Sequence, residues 1–343
     1  MIDKAIKRVV DGHDLDRAEM HAVFGEVMDG NASDVQKSAF LIALRMKGET
    51  PEEITGAALA MRERVTPLNV DRERLVDTCG TGGDGRGTFN ISTVSALVAA
   101  AAGANVAKHG NRAVSSSCGS ADLLTALGVH IDLDAPRMSR VLEETGIAFL
   151  FAPKLHPAMG AVAPIRRELG VRTIFNLLGP LTNPAFARRQ VLGVYAAHLV
   201  EVIARVLLAL GAEHAMVVHS YDGLDEISIS APTHVCEVVN GEIRDYALAP
   251  EALGVERSPI EEIAGGDAAH NARIALAILS GESNGARRDI VAVNAGAALY
   301  VSGVVSTLRD GVALASNTIA SGAAMRKLEE LAAATQSATR ELA

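Results

Sequence analysis

The chain has no tryptophan, and aromatic residues make up only 3% of its 343 positions. So few rings leave little material for stacking nucleobases. Basic residues are outnumbered, 32 Lys and Arg against 41 Asp and Glu, for a net charge of −9. That balance argues against a general polyanion binder, nucleic acid included, so any anion site has to be local. Cysteine is scarce: Cys79, Cys118 and Cys236 are isolated and show no CxxC spacing. They form neither a disulfide framework nor a cysteine-rich zinc site and read as reduced thiols of a cytoplasmic protein. No apolar run is long enough to span a bilayer, and Met1-Ile-Asp-Lys-Ala-Ile-Lys7 lacks the apolar core of a signal peptide. No membrane partner is expected. No HxH or HxxxH pair and no nucleophile triad is evident, so neither a histidine metal centre nor covalent hydrolysis is indicated.

Glycine, by contrast, is concentrated. Gly80, Gly82, Gly83, Gly85 and Gly87 fall within eight positions, after the apolar pair Leu75-Val76 and ahead of Asn90-Ile-Ser-Thr93. A loop with so little Cβ bulk lets backbone N–H groups crowd around an anion, and a helix start adds partial positive charge. The stretch reads as a phosphate cradle. Gly80-Thr-Gly-Gly-Asp-Gly85 also fits the GxGxxG dinucleotide pattern. That fold wants an acid at the end of its second strand to hold a ribose diol. The second strand here, Asn105 to Lys108, ends in a cation followed by His109-Gly-Asn-Arg112. A dinucleotide and another phosphate ligand therefore both stay open on the glycine motif alone.

The first seventy residues read as helices. Asp16 with Glu19 forms a capping box, Leu15 and Met20 suit a hydrophobic staple, and Gly30 follows the last turn. Ser33 with Gln36, and Thr50-Pro51-Glu52-Glu53, start the next two. From about residue 73 short apolar runs alternate with Gly-rich loops and helices. Candidate strands are 75–78, 105–108, 190–195, 214–219, 234–239 and 290–294. Candidate helices are 94–102, 120–127, 136–145, 199–210 and 268–279, with a surface helix from 320 onward. The alternation predicts an α/β domain with a mostly parallel central sheet, the later strands mixed.

Other charged groups gather around these loops. Lys108 to Ser120 supplies two cations, Lys108 and Arg112, and hydroxyls on Ser115, Ser116, Ser117 and Ser120. Loops after consecutive strands lie where open α/β folds bind ligands. Asp225-Glu226 follows the apolar Met216-Val-Val-His219 run; such a pair is most often solvated surface, but Mg2+ uses carboxylates together with substrate phosphates. Arg166, Arg167 and Arg172 surround Glu168, and the arginine fork suits a carboxylate. The residues alone do not choose among the three. His109, His156 and His219 could each serve as acid or base, but a packed or hydrogen-bonding histidine is the favoured reading for any one of them.

Taken together, Gly80-Thr-Gly-Gly-Asp84, Asn90-Ile-Ser-Thr93, Lys108-His-Gly-Asn-Arg112, His156-Pro-Ala, Arg166-Arg-Glu-Leu-Gly with Arg172-Thr, Asn176-Leu-Leu-Gly-Pro-Leu-Thr-Asn-Pro184 and Asp225-Glu226 resemble the anthranilate phosphoribosyltransferases from end to end. The resemblance implies a small all-helical N-terminal domain, 1–72, completed by a segment near 165–185. It implies a larger α/β domain, 73–343, of the nucleoside phosphorylase/phosphoribosyltransferase type, and a homodimer through the helical domains. It implies transfer of phosphoribose from 5-phosphoribosyl 1-diphosphate to anthranilate, with Mg2+.

Under the same resemblance Gly80, Gly83, Asp84, Thr88, Asn90, Ile91, Ser92 and Thr93 bind the phosphoribosyl donor. So do Lys108, His109, Gly110, Asn111, Arg112, Ala113, Val114, Ser115, Ser116 and Ser120. Gly80, Asn111, Arg166 and His156 meet anthranilate, while Ser92, Asp225 and Glu226 take the metal. A pyrimidine nucleoside phosphorylase is the nearest enzymatic alternative, with no use for the acidic pair. A nucleic-acid-binding relative is another, disfavoured by the charge and the scarcity of rings.

Overall fold

The computed structural model describes residues 1–113 and 117–340. It begins with four helices, α1 (Ile2–Val10), α2 (Arg17–Met28), α3 (Asp34–Lys47) and α4 (Pro51–Arg62). Three of their starts follow the sequence signals. Asp16 accepts from the Glu19 N–H, Ser33 from that of Gln36 and Thr50 from that of Glu53, each with the reciprocal side-chain bond. Glu53 goes further, accepting from the Leu15 N–H at 3.0 Å and from Lys47 Nζ at 2.9 Å while fully buried. One carboxylate thus ties a loop, a cap and a neighbouring helix together. Gly56 explains how closely α2 and α4 approach: a Cβ there would lie 2.4 Å from the Arg17 carbonyl oxygen.

Seven strands follow: β1 (Leu75–Gly80), β2 (Asn105–Gly110), β3 (Ile147–Phe151), β4 (Arg189–Gly193), β5 (His214–Ser220), β6 (Thr233–Val239) and β7 (Glu242–Leu248). Their order is β3-β2-β1-β4-β5-β6-β7, parallel from β3 to β5 and antiparallel through β6 and β7. The order reverses at β1, so the carboxyl ends of β1 and β4 diverge into loops with room for a ligand between them. Helix α5 (Ile91–Ala101) leaves the β1 loop and packs against β1 and β2.

Successive strand residues face opposite sides, and each side has its own apolar core. Met216 and Val218 join α5 and the helices 286–302, 308–320 and 323–340. Ala215 and Val217 join helix 199–209, α1–α4 and the helix 175–181. The N-terminal helices therefore pack into the core of one sheet face. Arg62 reinforces this, its Nε donating to the Leu181 carbonyl at 2.8 Å.

One strand expectation is overturned. Residues 290–294 lie within helix 286–302, not in a strand. The run Ile290-Val-Ala-Val-Asn294 is apolar on all sides because that helix is buried almost all round, and periodicity cannot separate such a helix from a buried strand. Gly296 and Gly311 mark where it crosses helix 308–320; a Cβ on Gly311 would lie 2.3 Å from the Gly296 oxygen. The C-terminal helix, 323–340, is not purely superficial either, since Leu328, Leu331 and Ala338 are buried. Strands β3 and β7 and helix 308–320 were not anticipated.

Candidate active site

The loop after β1 is built around an acid from a distant segment. Asp225, in the loop after β5, accepts the Gly82 N–H at 2.9 Å. Gly80 and Gly193 are register partners on β1 and β4, and both lie against Asp225. A Cβ on Gly80 would come within 2.5 Å of Asp225 Oδ2, and one on Gly193 within 1.5 Å of its backbone oxygen. Two adjacent strands thus surrender their side chains to admit one carboxylate. Gly193 was not singled out from the sequence, although a glycine in a strand interior often marks such an approach.

Glu226 reaches the other side of the same loop and accepts the Ser92 N–H in the first turn of α5 at 3.2 Å. Asp225 is pushed up to about 7 by burial and by the neighbouring Asp84, and Glu226 up to about 8 by burial and by Asp225. The buried ammonium of Lys108 opposes the rise of Glu226 without cancelling it. Acids from two loops therefore face one another in a protein-walled place with too little positive charge. Oxygen donors of this kind, short of a counter-charge, fit a hard divalent cation such as Mg2+.

The acidic loop is itself clamped. Asp222 accepts from Ser228 Oγ at 2.5 Å and from Ser230 Oγ. Asn294 accepts the Ile227 N–H at 3.0 Å and donates to the Ile227 carbonyl at 2.9 Å. Neither residue carried a sequence signal: Asp222 acts through hydroxyls six and eight positions along its own loop, and Asn294 through the backbone of a loop 67 positions away.

The remaining predicted residues divide into three groups. Asn90 caps the glycine loop by packing: it donates to the Cys118 carbonyl and accepts from Asn271 Nδ2, each at 3.0 Å. Thr88 pairs with Ala264 in an isolated bridge, which pins the loop's far side. Ile91 and Thr93 are buried in α5. Ser92 lies between Glu226 and Lys108, whose Nζ is 3.4 Å from its hydroxyl.

Lys108 is not a surface cation. It is 3% exposed, donates to the Thr78 carbonyl, and burial lowers it below the ordinary lysine range while Asp77 opposes that. Asp77, wholly buried, also accepts from the His109 N–H at 3.2 Å and from Asn183 Nδ2 at 2.8 Å. The second loop is similarly engaged. Arg112 donates to Asp122 at 2.8 Å, and Asp122 also accepts the N–H groups of Ala113 and Gly119 at 3.0 Å. Ser120 Oγ donates to the Asn111 carbonyl at 3.2 Å, and a Cβ on Gly110 would strike that hydroxyl. Val114, Ser115 and Ser116 lie outside the described residues.

A third group gathers around His109 and Arg166. His109 Nε2 and His156 Nε2 are 3.1 Å apart, and His109 Nδ1 is 3.1 Å from the Gly179 carbonyl. Burial lowers His109 to about 3 and His156 to about 4, so both rings are neutral at ordinary pH. A carbonyl only accepts, which puts the His109 proton on Nδ1 and leaves its Nε2 to accept from His156. His156 Nδ1 then remains an acceptor.

Arg166 is half-buried 5.2 Å over the Phe175 ring, and burial alone lowers it, with no acid beside it among the described residues. Arg167 is exposed. Arg172 donates to the Gly83 carbonyl and covers Tyr195 at 4.3 Å, so it belongs to the glycine loop.

Comparison with known proteins gives this geometry a family. A glycosyl transferase family model of the α/β domain matches residues 72–325, and one of the family's helical bundle domain matches 3–65. An anthranilate phosphoribosyltransferase from Anaeromyxobacter sp. (strain K) is 59% identical over 98% of this chain and 99% of its own length. The chain belongs to the anthranilate phosphoribosyltransferase family. The enzyme of that name from Thermus thermophilus superimposes with a TM-score of 0.92 at 48% identity, covering 97% of this chain and 99% of its own. The Saccharomyces cerevisiae anthranilate phosphoribosyltransferase, solved in complex with PRPP and Mg, gives 0.90 at 28% identity, covering 98% of both chains.

Proposed function

We propose that this protein transfers the 5-phosphoribosyl group of 5-phosphoribosyl 1-diphosphate to the amine of anthranilate, releasing pyrophosphate, as a step of tryptophan biosynthesis. The observation that carries the reading is the Asp225–Glu226 pair, which joins the glycine loop to the first turn of α5 and is short of positive charge, Lys108 opposing it only in part. The N–H groups and hydroxyls of Gly80 to Thr93 and the loop from Lys108 to Ser120 hold the phosphorylated ribose. Lys108 and Arg112 act largely by fixing those loops, since their charges are engaged by Asp77 and Asp122.

In the reaction the amine nitrogen forms a bond to the anomeric carbon as the bond to the diphosphate oxygen breaks and its electron pair leaves with the diphosphate; the new ammonium then gives up one proton to solvent. The ribose passes through an oxocarbenium-like state. Asp225, Glu226 and Ser92 would hold Mg2+ on the donor, and the bound ion neutralises charge that develops on the leaving group. No covalent nucleophile is required, because the aromatic amine is one already.

Arg166 is the ligand for the anthranilate carboxylate, its guanidinium being desolvated and free of acidic neighbours. Gly80 and Asn111 line the aromatic site. The neutral His109–His156 pair places no cation beside the incoming amine. Residues 1–72 with the segment near 165–185 form the helical domain, residues 73–343 form the donor-binding domain, and a homodimer through the helical parts in the cytoplasm completes the reading.

The test mixes the protein with Mg2+, anthranilate and 5-phosphoribosyl 1-diphosphate and follows anthranilate fluorescence. Loss that requires all three components is expected. An unchanged signal from folded protein with intact donor would overturn the assignment.

A further inference from the structure

Away from the active site, one cluster gathers three different metal-binding chemistries at the edge of the sheet. His234 and Cys236 are two residues apart on β6 and so share a face. Asp245 on β7 is the register partner of Cys236. His234 Nε2 is 2.8 Å from Asp245 Oδ2, and Cys236 Sγ donates to that same oxygen at 3.2 Å. One ligand atom from each of the three falls within 4.8 Å of the other two. The pattern is hidden in the sequence, because the hairpin brings the aspartate in from nine positions away.

We propose that His234, Cys236 and Asp245 bind one divalent transition ion of the Zn2+ class, at a site separate from the acidic loop of the active site. The donor set decides the class of ion. Thiolate and imidazole suit Zn2+, whereas Mg2+ takes oxygen ligands. A tetrahedral Zn2+ with ordinary bond lengths separates its nitrogen, oxygen and sulfur ligands by roughly 3.3 to 3.6 Å. The present spacings of 2.8 and 3.2 Å need to open by well under an ångström.

The groups have that freedom where it is needed. The Asp245 side chain is 61% exposed and that of His234 23%, while Cys236 is fixed in the core. A water completes the coordination. Glu201 and Arg205, on helix 199–209 packed over this hairpin, pair with each other at 2.6 Å and flank the thiol. Without the ion, burial and the Asp245 carboxylate keep the thiol protonated, so its S–H donates to Asp245. Binding replaces that hydrogen bond: the S–metal bond forms, the proton passes to solvent, and nothing is oxidised. The consequence is a cross-strand clip on β7, an edge strand that only β6 holds through backbone pairing.

Co2+ serves as the probe, because its complexes absorb visibly and its bond to thiolate gives a near-ultraviolet charge-transfer band. Titration of the whole protein in excess Mg2+ is expected to give both, at one Co2+ per chain, with Zn2+ displacing the probe. Cys236→Ser is expected to abolish the thiolate band. His234→Ala, at a more exposed position, is expected to weaken Co2+ by more than the roughly 10- to 100-fold that loss of a mere supporting group causes, with Mg2+-dependent turnover unchanged. Absence of the band, its survival in Cys236→Ser, unaltered affinity in His234→Ala, or displacement by Mg2+ would each overturn the site.

Discussion

Asp77 and the Asp225–Glu226 pair are both carboxylates enclosed by protein, yet their surroundings differ. Asp77 has the Lys108 ammonium, the Asn183 amide and the His109 N–H. Asp225 has the Gly82 N–H and faces Asp84, while Glu226 has the Ser92 N–H and only part of the Lys108 charge that Asp77 also draws on. The first is a finished framework contact, which locks β1 to β2 and to the 175–184 segment. The second is incomplete without something positive, and the fold supplies a clamp for it in Asn294 and Asp222. A buried acid with its partners in place is architecture; one held rigidly without them is a site.

Changing both acids of the incomplete pair separates it most clearly from the framework. Asp225→Asn with Glu226→Gln is expected to lower turnover on the order of 100- to 1,000-fold and raise the Mg2+ requirement, while the protein stays folded. A Mg2+ titration of initial rates checks it, and an unaltered curve would dismiss the metal role. Asp77→Ala should do the reverse. Taking the main carboxylate partner from the buried Lys108 costs about 3 to 5 kcal/mol of stability, read as a large fall in denaturation midpoint.

The arginines and histidines sharpen the same contrast. Arg166, free of acids, should on change to alanine raise the anthranilate KM roughly tenfold or more, the loss of a charged hydrogen bond, with little effect on that of the donor. Exposed Arg167→Ala should leave both unchanged. Equal effects of the two substitutions would remove the assignment of Arg166. The smallest effect concerns the histidines. Held at about 3 and about 4, the pair stays neutral, so the anthranilate KM should show no inflection near pH 6.5. The stability that depressed histidines contribute is present above their unfolded value and lost only in acid.

How much of this was legible in the sequence follows from how local each cause is. The caps of α2, α3 and α4 are short-range chemistry and read directly, as did the glycine loop and five of the seven strands. Strand β7 escaped because it is an exposed, polar edge, and β3 because a short apolar run after Gly146 carries no alternation. The helix at 286–302 was mistaken in part for a strand because full burial erases its period. In the proposed site, the glycine loop, the Lys108 loop and the acidic pair were legible as motifs. Those acting through another segment, Asp77, Gly193 and Asn294, were not, since their partners lie across the sheet or far along the chain; Asp222 acts through serines six and eight positions along its own loop.

The most direct measurement is stability against pH, without divalent cation, for the native protein and the Asp225→Asn/Glu226→Gln variant. Carboxyls raised to about 7 and about 8 hold protons in the folded state that the unfolded chain has released, so the stability they lend is full below the unfolded carboxyl range of about 4 and is lost as pH rises through 7 to 8. The account predicts that the native protein loses stability over that window relative to the variant, and that Mg2+ with the phosphoribosyl donor restores it. Parallel curves for the two proteins, unmoved by Mg2+ and donor, would contradict it.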